Sequence, residues 1–551
     1  MKKELKPMDY KHPILLTITT ALKYLFAVCL IVFAYSQSGQ RICLIAGLME
    51  LAIVFLISNT LVRANHFIGW ILNSLLLLLI NVQMAVLAFG NTYISLVMMT
   101  NLDSVRDLSG QAVVYISALV AALVLSFLPI RHVGTWKTAE ARLLALALAA
   151  ELIFTMCIGS AGSPLFSYYT LIKQGIDAQT PSESITKGKD YTEIFHGTTI
   201  IGRIKKPEGL PENPNIIAIF TEGLSQNIVT DKRKIMPNVA AYERKSINFT
   251  NYFNHTFATY RALSGQLYSG YQKHNYDSNA LISLQDILSD KGYTTSFINT
   301  EIRNINFTNY LQDMGFDEVI SDPAFVSNGV ADTISDKDAY ELLFDTVKEQ
   351  GKDDKPFFTA IYTFGTHTSL DSPDEKFGDG SDSLLNKFYN LDCQFGAFMK
   401  KFEKSDLADN TIIFFTADHA AYQDRLFNTS FPDYERNHTE LDEMPFFIYH
   451  KGVEPQKIDV EGRNTLDFAP TVLDYLDIST NNYFLGTTLF SGLDNNNNYD
   501  TIFTDSASYV STRGGEIRWL NDTEHDIMDV KLDMYYEAKQ QGPPETAQSD
   551  K

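Results

Sequence analysis

Two apolar stretches of this sequence end abruptly in residues that bind metal ions. Asn215-Ile-Ile-Ala-Ile-Phe-Thr leads to Glu222, and Thr411-Ile-Ile-Phe-Phe-Thr-Ala leads to Asp418-His419. Short apolar runs with polar ends predict buried strands, and open α/β sheets bind their ligands outside the carboxyl ends of the strands. Two carboxylates and one imidazole at that edge indicate a site for one divalent metal ion, zinc or manganese. The alternative is two structural strands with polar loop starts.

A hydroxyl residue, Thr259, lies where a polar loop enters a predicted helix. The amides at the start of a helix have no intrahelical acceptors, so they favour phosphate and lower the cost of an alkoxide. Thr256, three residues earlier, remains the alternative nucleophile. Arg261 lies two residues after Thr259, and a guanidinium can grip a phosphoryl oxygen. A third apolar stretch, beginning at Phe357, leads to His367.

The elements that must position these residues alternate between strands and helices. This alternation predicts an α/β domain whose central sheet is mostly parallel and is covered by helices. The predicted catalytic domain spans residues 213–535, and a polar tail follows at 536–551. A juxtamembrane linker at 167–212 precedes it, with an amphipathic helix near Tyr168–Ile176 that is expected to rest on a membrane.

Residues 1–166 predict a transmembrane domain of five helices, because five stretches approach the roughly 20 apolar residues that cross a bilayer. They are Ile14–Tyr35, Cys43–Val62, Phe67–Phe89, Val113–Ile130 and Leu143–Ser163. The segment Asn91–Thr100 is predicted to be interfacial or re-entrant. The second and fourth loops and the N-terminal tail are the more basic, which places the catalytic domain on the extracytoplasmic side. Lys23 and Glu50, inside predicted spans, are expected to pair.

Charge and cysteine content limit the functions of the soluble part. Up to residue 163 the chain has 11 basic and 7 acidic residues, whereas the remainder carries a net charge of −25. A domain this acidic is not expected to hold nucleic acid by long-range attraction. Of the four cysteines only Cys393 lies after the apolar region, so no disulfide framework is available there.

The soluble part resembles the alkaline phosphatase and sulfatase superfamily. More narrowly, the whole chain is similar to lipoteichoic acid synthases, periplasmic phosphoglycerol transferases and lipid A phosphoethanolamine transferases. The motifs that carry the resemblance are Thr-Glu222-Gly, Met-Pro-Asn238, the Thr259 loop, Gly365-Thr-His367, Ala-Asp418-His419 and Asp467-Phe-Ala-Pro-Thr471.

The resemblance implies that Glu222, Asp418 and His419 bind the metal ion, together with Thr259, which is also the nucleophile. It further implies that Arg261, His367 and His438 contact the substrate. The two histidines serve as the leaving-group acid and the acceptor base, although a solvated His438 is a close alternative.

The implied enzyme transfers a phosphoethanolamine or phosphoglycerol head group from a phospholipid donor, through a phospho-threonine, to an envelope glycan or glycolipid. It would sit in the cytoplasmic (inner) membrane of a bacterium. The alternatives are a phosphodiesterase or phosphatase that releases the same group to water, and a catalytically silent, membrane-anchored binding module.

Three features of this sequence differ from those of the relatives and restrict the activities that the resemblance implies. No Cys/Ser-x-Pro-x-Arg motif is present, so sulfatase activity is not expected. The disulfides typical of lipid A phosphoethanolamine transferases cannot form. The Trp and Arg that hold glycerol phosphate in lipoteichoic acid synthase fall near Ile305 and Phe307 here. The sequence therefore leaves the donor head group and the acceptor open.

Overall fold

The structure is a computed structural model, and two compact units make up the chain. It describes residues 13–38, 41–95, 98–99, 112–134, 137–158, 162–179, 195–202, 204, 206, 209–272, 279–321, 333–368, 370–436, 438–493, 501–504 and 509–542. The N-terminal unit runs to Ile176 and also includes Gln423–Asn428, and the C-terminal unit contains the described residues of Asp177–Tyr422 and those from Thr429 onward. Part of the predicted re-entrant segment Asn91–Thr100 lies outside the described residues.

Fewer helices than predicted are able to cross a membrane. The helices of the N-terminal unit are Pro13–Gln37, Leu44–Ala64, His66–Gly90, Ala112–Ser126, Lys137–Ile158 and Pro164–Gln179. By length and composition, only the first three of these described helices qualify as membrane spans. The prediction of five spans is therefore wrong for the described part of the chain. The fourth helix is short, at 15 residues, and the fifth carries Glu140, Arg142 and Glu151, which are costly in lipid.

The predicted pairing of Lys23 with Glu50 is also wrong. Lys23 Nζ donates to the carbonyl oxygen of Leu128 at 2.9 Å, whereas the Glu50 carboxylate accepts from the backbone amide of Leu165 at 2.8 Å. Leu128 follows the end of helix Ala112–Ser126, and Leu165 lies in the first turn of helix Pro164–Gln179. Backbone groups at such positions lack intrahelical partners, so each buried charge satisfies a helix end instead of the other charge.

The C-terminal unit is built on an eight-stranded sheet. In chain order its strands are β2 (Asn215–Thr221), β3 (Ile247–Thr250), β4 (Thr294–Ile298), β5 (Glu318–Ile320), β6 (Phe357–Thr363), β7 (Thr411–Ala417), β8 (Phe446–Tyr449) and β9 (Gln456–Asp459), with β1 (His196–Gly197) outside this sheet. The spatial order is β5-β4-β6-β2-β7-β8-β3-β9. Only β8 runs against its neighbours among these strands, which confirms the mostly parallel sheet.

Helices cover this sheet, and the central strands β2, β6 and β7 are buried along their whole length. Helix Arg425–Ser430 belongs largely to the N-terminal unit. The helices of the C-terminal unit are Gln226–Val229, Pro237–Glu243, Thr259–Tyr268, Leu284–Asp290, Ile305–Asp313, Asp336–Gln350, Ser383–Phe402, Phe468–Tyr475 and Asp522–Gln541. The last of them extends into the expected tail. Two small antiparallel sheets complete the unit: β1 pairs with β10 (Asn481–Asn482), and β12 (Tyr509–Ser511) lies between β11 (Ile502–Thr504) and β13 (Arg518–Trp519).

The register of the three central strands decides where the site lies. Thr221, the last residue of β2, is opposite Thr363 in β6 and Ala417 in β7. The three strands therefore end level with one another, and the residues that follow them share one edge of the sheet.

Candidate active site

The ends of β2 and β7 bring together three residues that are able to hold a metal ion. Glu222 follows β2, and Asp418 and His419 follow β7; one ligand atom from each lies within 4.8 Å of the others. The backbone ladder continues through these residues, because the Glu222 amide donates to Thr363 O at 3.2 Å and the Asp418 amide donates to Thr221 O at 3.0 Å. The cluster is thus held by the most rigid part of the fold.

Each side chain of this cluster is oriented by a second contact. Asp418 Oδ1 accepts from the amides of Gly223, at 2.9 Å, and His419, at 2.7 Å. His419 Nδ1 donates to Ala420 O at 2.9 Å. The other ring nitrogen, Nε2, therefore faces the carboxylates, 3.4 Å from Asp418 Oδ2 and 3.6 Å from Glu222 Oε1.

A divalent cation fits these donors. Asp418 is fully buried, and its Oδ2 accepts no hydrogen bond from the residues that the structure describes. An unsatisfied carboxylate oxygen, a second carboxylate and an imidazole nitrogen that converge in a buried place form a ligand set for zinc or manganese. The backbone bonds to Asp418 and His419 are the outer contacts that hold such ligands in position.

The three ionisable groups of the cluster shift one another's pKa. Burial, reinforced by the charge of Glu222, raises the pKa of Asp418 above its ordinary value. Burial alone would raise the pKa of Glu222 as well, but the attraction of His419 and His367 and hydrogen bonds from neighbouring hydroxyls lower it. For His419, burial opposes the charged ring, yet the two carboxylates raise the pKa. Without a cation, protons supply the positive charge that these carboxylates require.

Thr259 lies beside Glu222, at the first position of helix Thr259–Tyr268. Its Oγ1 donates to Glu222 Oε2 at 3.1 Å. The preceding residue, Ala258, has φ +74° and ψ 140°, a conformation that is strained for a residue with a side chain. Thr256 is directed elsewhere, since its Oγ1 donates to Thr504 O at 2.8 Å. The geometry therefore separates the two candidate nucleophiles that the sequence left open.

A residue that the sequence analysis missed, Tyr362, also contacts this pair. Its hydroxyl donates to Glu222 Oε2 and lies 3.4 Å from Thr259 Oγ1. Tyr362 is the penultimate residue of β6 and is fully buried. A tyrosine near the end of a predicted buried strand was the available signal, because a buried phenol usually requires a hydrogen-bond partner.

His367 lies in the loop that follows β6, where its charge lowers the pKa of Glu222. The ring stacks on Phe364, with ring centres 4.6 Å apart and 12° between the planes. The loop is fixed at two places: Gly365 N donates to the buried carboxylate of Asp336 at 3.1 Å, and Lys387 Nζ donates to His367 O at 3.0 Å. His367 is half-buried, so it sits at the entrance side of the cluster.

His438 belongs to a different group of contacts. Its ring packs against Phe503 at 4.9 Å and against the exposed Trp519 at 5.8 Å, measured between ring centres. Two residues later, the charge of the buried Glu440 contributes to the raised pKa of His419. His438 therefore lies on a segment that approaches the cluster, and its role as a base stays a prediction.

Arg261 is in the interior, with 1% of its surface exposed. Burial, together with the charge of Arg261, lowers the pKa of His255 to about 3, so the guanidinium lies near that ring. Contact between Arg261 and a phosphoryl oxygen stays a prediction.

Comparison with known proteins identifies the fold of the C-terminal unit. Residues 214–478 match the sulfatase family model. A protein of the alkaline phosphatase superfamily from Vibrio parahaemolyticus is 18% identical, with a TM-score of 0.51; the match covers 67% of this chain and 96% of that one. The lipoteichoic acid synthase LtaP from Listeria monocytogenes is also 18% identical, with a TM-score of 0.51. This match covers 64% of this chain and 97% of that one.

A third solved structure extends the likeness over more of the chain. The lipooligosaccharide phosphoethanolamine transferase EptA from Neisseria meningitidis, an integral membrane protein, is 14% identical with a TM-score of 0.51, covering 84% of this chain and 96% of that one. At such identities these three likenesses show a shared fold.

Proposed function

From the premise that residues 214–478 form a sulfatase-family domain, we propose that this protein is a membrane-anchored, metal-dependent phosphotransferase. It moves a phosphoethanolamine or phosphoglycerol head group from a phospholipid to an envelope glycan or glycolipid. The observation that carries the proposal is the Thr259 hydroxyl, 3.1 Å from Glu222 Oε2, at the border of a buried cluster with Asp418 and His419. A hydroxyl nucleophile beside a metal-binding group suits phosphoryl transfer.

The metal would be held by Glu222, Asp418 and His419, with Thr259 beside them. When bound, a zinc or manganese ion at this place would polarise a phosphoryl oxygen and stabilise negative charge on the Thr259 oxygen. Two backbone amides donate to Asp418 Oδ1, so Asp418 Oδ2 is left to bind the metal. Each of the three ligand residues is more than nine-tenths buried, which keeps water from competing for the metal.

In the first half of the reaction the Thr259 oxygen bonds to phosphorus, and the bond from phosphorus to the diacylglycerol oxygen breaks. The Thr259 proton passes along its hydrogen bond to Glu222 Oε2, which leaves the lone pairs of the Thr259 oxygen for attack. His367, in its protonated form, gives a proton to the departing diacylglycerol oxygen. The product is a phospho-threonine that carries the head group.

In the second half an acceptor hydroxyl attacks the phosphorus and gives its proton to a base, for which His438 is the candidate. The bond between phosphorus and Thr259 breaks, and the Thr259 oxygen takes its proton back from Glu222 Oε2. The enzyme returns to its starting state when His438 gives its proton to water and His367 takes a proton from water.

Membrane attachment supports a lipid donor. In the part of the chain that the structure describes, three helices are long and apolar enough to cross a bilayer, and the basic N-terminal tail favours a cytoplasmic start. Three spans, an odd number, then put the catalytic domain on the extracytoplasmic side of a bacterial inner membrane. Head groups and surface glycans meet there.

The proposal is tested with the full-length protein in liposomes that contain head-group-labelled phosphatidylethanolamine or phosphatidylglycerol. We expect diacylglycerol to form, and mass spectrometry to find the labelled head-group phosphate on the peptide that contains Thr259. An intact-mass comparison of surface glycans and lipids, from cells with and without the protein, then identifies the acceptor by one added group.

Three results would contradict the proposal. Free head group without a modified acceptor would indicate a phosphodiesterase. A modified Thr256 peptide would overturn the assignment of the nucleophile. Purified protein without metal, in which Glu222→Ala changes nothing, would indicate a silent binding module.

A further inference from the structure

Tyr362 occupies a position between the two reacting parts of the site. Its hydroxyl donates to Glu222 Oε2, and the same oxygen accepts from Thr259 Oγ1 at 3.1 Å. The Tyr362 and Thr259 hydroxyl oxygens are 3.4 Å apart. Glu222 Oε2 and the hydroxyl oxygens of Tyr362 and Thr259 therefore form a triangle. In it, the proposed nucleophile Thr259 lies beside a hydrogen-bond donor, Tyr362, that is not a metal ligand.

The two oxygens of Glu222 consequently face different groups. Oε1 faces His419 Nε2 at 3.6 Å, within the metal-binding cluster, whereas Oε2 receives the hydroxyls of Tyr362 and Thr259. A carboxylate oxygen that already accepts two hydrogen bonds has little remaining capacity. Rotation of Glu222 would break both bonds, so Tyr362 holds the carboxylate in its orientation.

Tyr362 itself is held in place. Its main chain belongs to β6, where it is opposite Phe220 of β2, and its carbonyl oxygen accepts from Thr300 Oγ1 at 2.9 Å. Phe307 packs against the ring, with ring centres 5.5 Å apart. A side chain that is fully buried among such neighbours keeps its hydroxyl where it is.

The phenol is the donor in its contact with Glu222 Oε2, because an ionised carboxylate only accepts hydrogen bonds. A donor that is oriented before the reaction and shielded from water stabilises developing negative charge without reorganisation.

We propose that Tyr362 is a further catalytic residue, whose hydroxyl orients Glu222 in the resting enzyme and donates to Thr259 Oγ1 as that oxygen loses its proton. The inference rests on the proposed function, in which Thr259 is the nucleophile. The Thr259 proton goes to Glu222 Oε2 along the existing hydrogen bond. The hydroxyl of Tyr362 then donates to Thr259 Oγ1, 3.4 Å away, and keeps its own proton.

The test compares full-length Tyr362→Phe with wild type on bis(4-nitrophenyl) phosphate, a diester that requires neither the natural donor nor the acceptor. The change removes one oxygen and keeps the ring. We expect kcat, and the rate of phospho-threonine formation in a single turnover, to fall about 10- to 100-fold. We expect KM, metal content and melting temperature to stay close to wild type. Tyr293→Phe, at a buried tyrosine before the amino end of β4, is the matched control and should keep the wild-type kcat.

Two outcomes would overturn the inference alone. The first is a Tyr362→Phe variant with the wild-type rate of phospho-threonine formation. The second is a variant that loses metal and regains the wild-type kcat in excess metal, because the hydroxyl would then serve Glu222 only. A wild-type protein that cleaves no diester when loaded with zinc or manganese would overturn the proposed function and this inference together.

Discussion

Thr259 and Glu222 are 37 residues apart in the chain, yet the hydroxyl of one donates to the carboxylate of the other at 3.1 Å. A helix start and a strand end, each recognisable from the sequence, meet at this contact. It links the proposed nucleophile directly to the proposed metal site, and the predictions below follow from it and from the contacts around it.

Loss of the Thr259 hydroxyl should abolish turnover. Thr259→Ala removes one oxygen from the edge of the cluster, so we expect at least a ~1000-fold loss of kcat with metal content and melting temperature largely retained. Diester hydrolysis, metal analysis and thermal unfolding measure these effects.

Thr256→Ala is the matched control for that variant. It removes the hydrogen bond to Thr504 O, which should cost about 1 kcal/mol of stability and leave most of the turnover. If Thr256→Ala were the inactive variant, Thr259 would not be the nucleophile.

Metal binding should depend on Asp418 and on pH. Asp418→Asn removes one ligand charge from a buried site, so we expect at least a ~10-fold loss of affinity. Because burial raises the pKa of Asp418 and the carboxylates raise that of His419, protons compete with the metal, and affinity should fall between pH 8 and pH 6. Titration of metal-free protein with zinc and with manganese tests both statements. Affinity that is higher at pH 6, or unchanged in Asp418→Asn, would contradict the ligand assignment.

Asp336 should make the protein less stable as the pH rises. Burial raises its pKa to about 7, above the value near 4 of an unfolded chain. The folded state therefore binds the Asp336 proton more tightly than the unfolded state does. The stabilisation from this proton is complete below about pH 4 and is lost as the pH rises past 7. The loss is at most about 4 kcal/mol.

Melting temperatures of wild type and Asp336→Asn between pH 4 and pH 8 test this effect. The amide keeps an acceptor for the Gly365 N–H and has no proton to lose. As the pH rises, we expect the melting temperature of wild type to fall relative to that of Asp336→Asn. If the two melting temperatures changed with pH in parallel, Asp336 would not lose its proton in this pH range.

Glu50 should fix the start of helix Pro164–Gln179 in the N-terminal unit. Its carboxylate accepts from the Leu165 amide at 2.8 Å, and Gln83 Nε2 donates to Ser167 Oγ at 2.7 Å in the same turn. In Glu50→Ala we expect faster hydrogen exchange at residues 165–168, because this amide loses its acceptor. Glu50→Gln keeps an acceptor oxygen and should exchange like wild type. Equal exchange in all three proteins would show that Glu50 does not cap this helix.

The sequence by itself determined the elements that carry the chemistry. Uninterrupted apolar runs are buried strands wherever they occur in an α/β domain, so the positions of Glu222, Asp418 and His419 after such runs were predictable. The start of a helix at Thr259 was likewise a local property. The mostly parallel sheet followed from the alternation of the elements.

Only the tertiary structure decided which elements are neighbours. Tyr362 reaches Glu222 because β6 lies beside β2, and nothing within either strand specifies that order. Lys23 and Glu50 satisfy helix ends rather than each other, since the orientation and the ends of each helix depend on packing. Among the described residues, the fourth predicted span fails because hydropathy does not show where a helix ends, whereas the fifth is long enough but carries charged residues that the sequence already showed. Local pattern determines what each segment becomes, whereas contacts between distant segments determine which side chains meet.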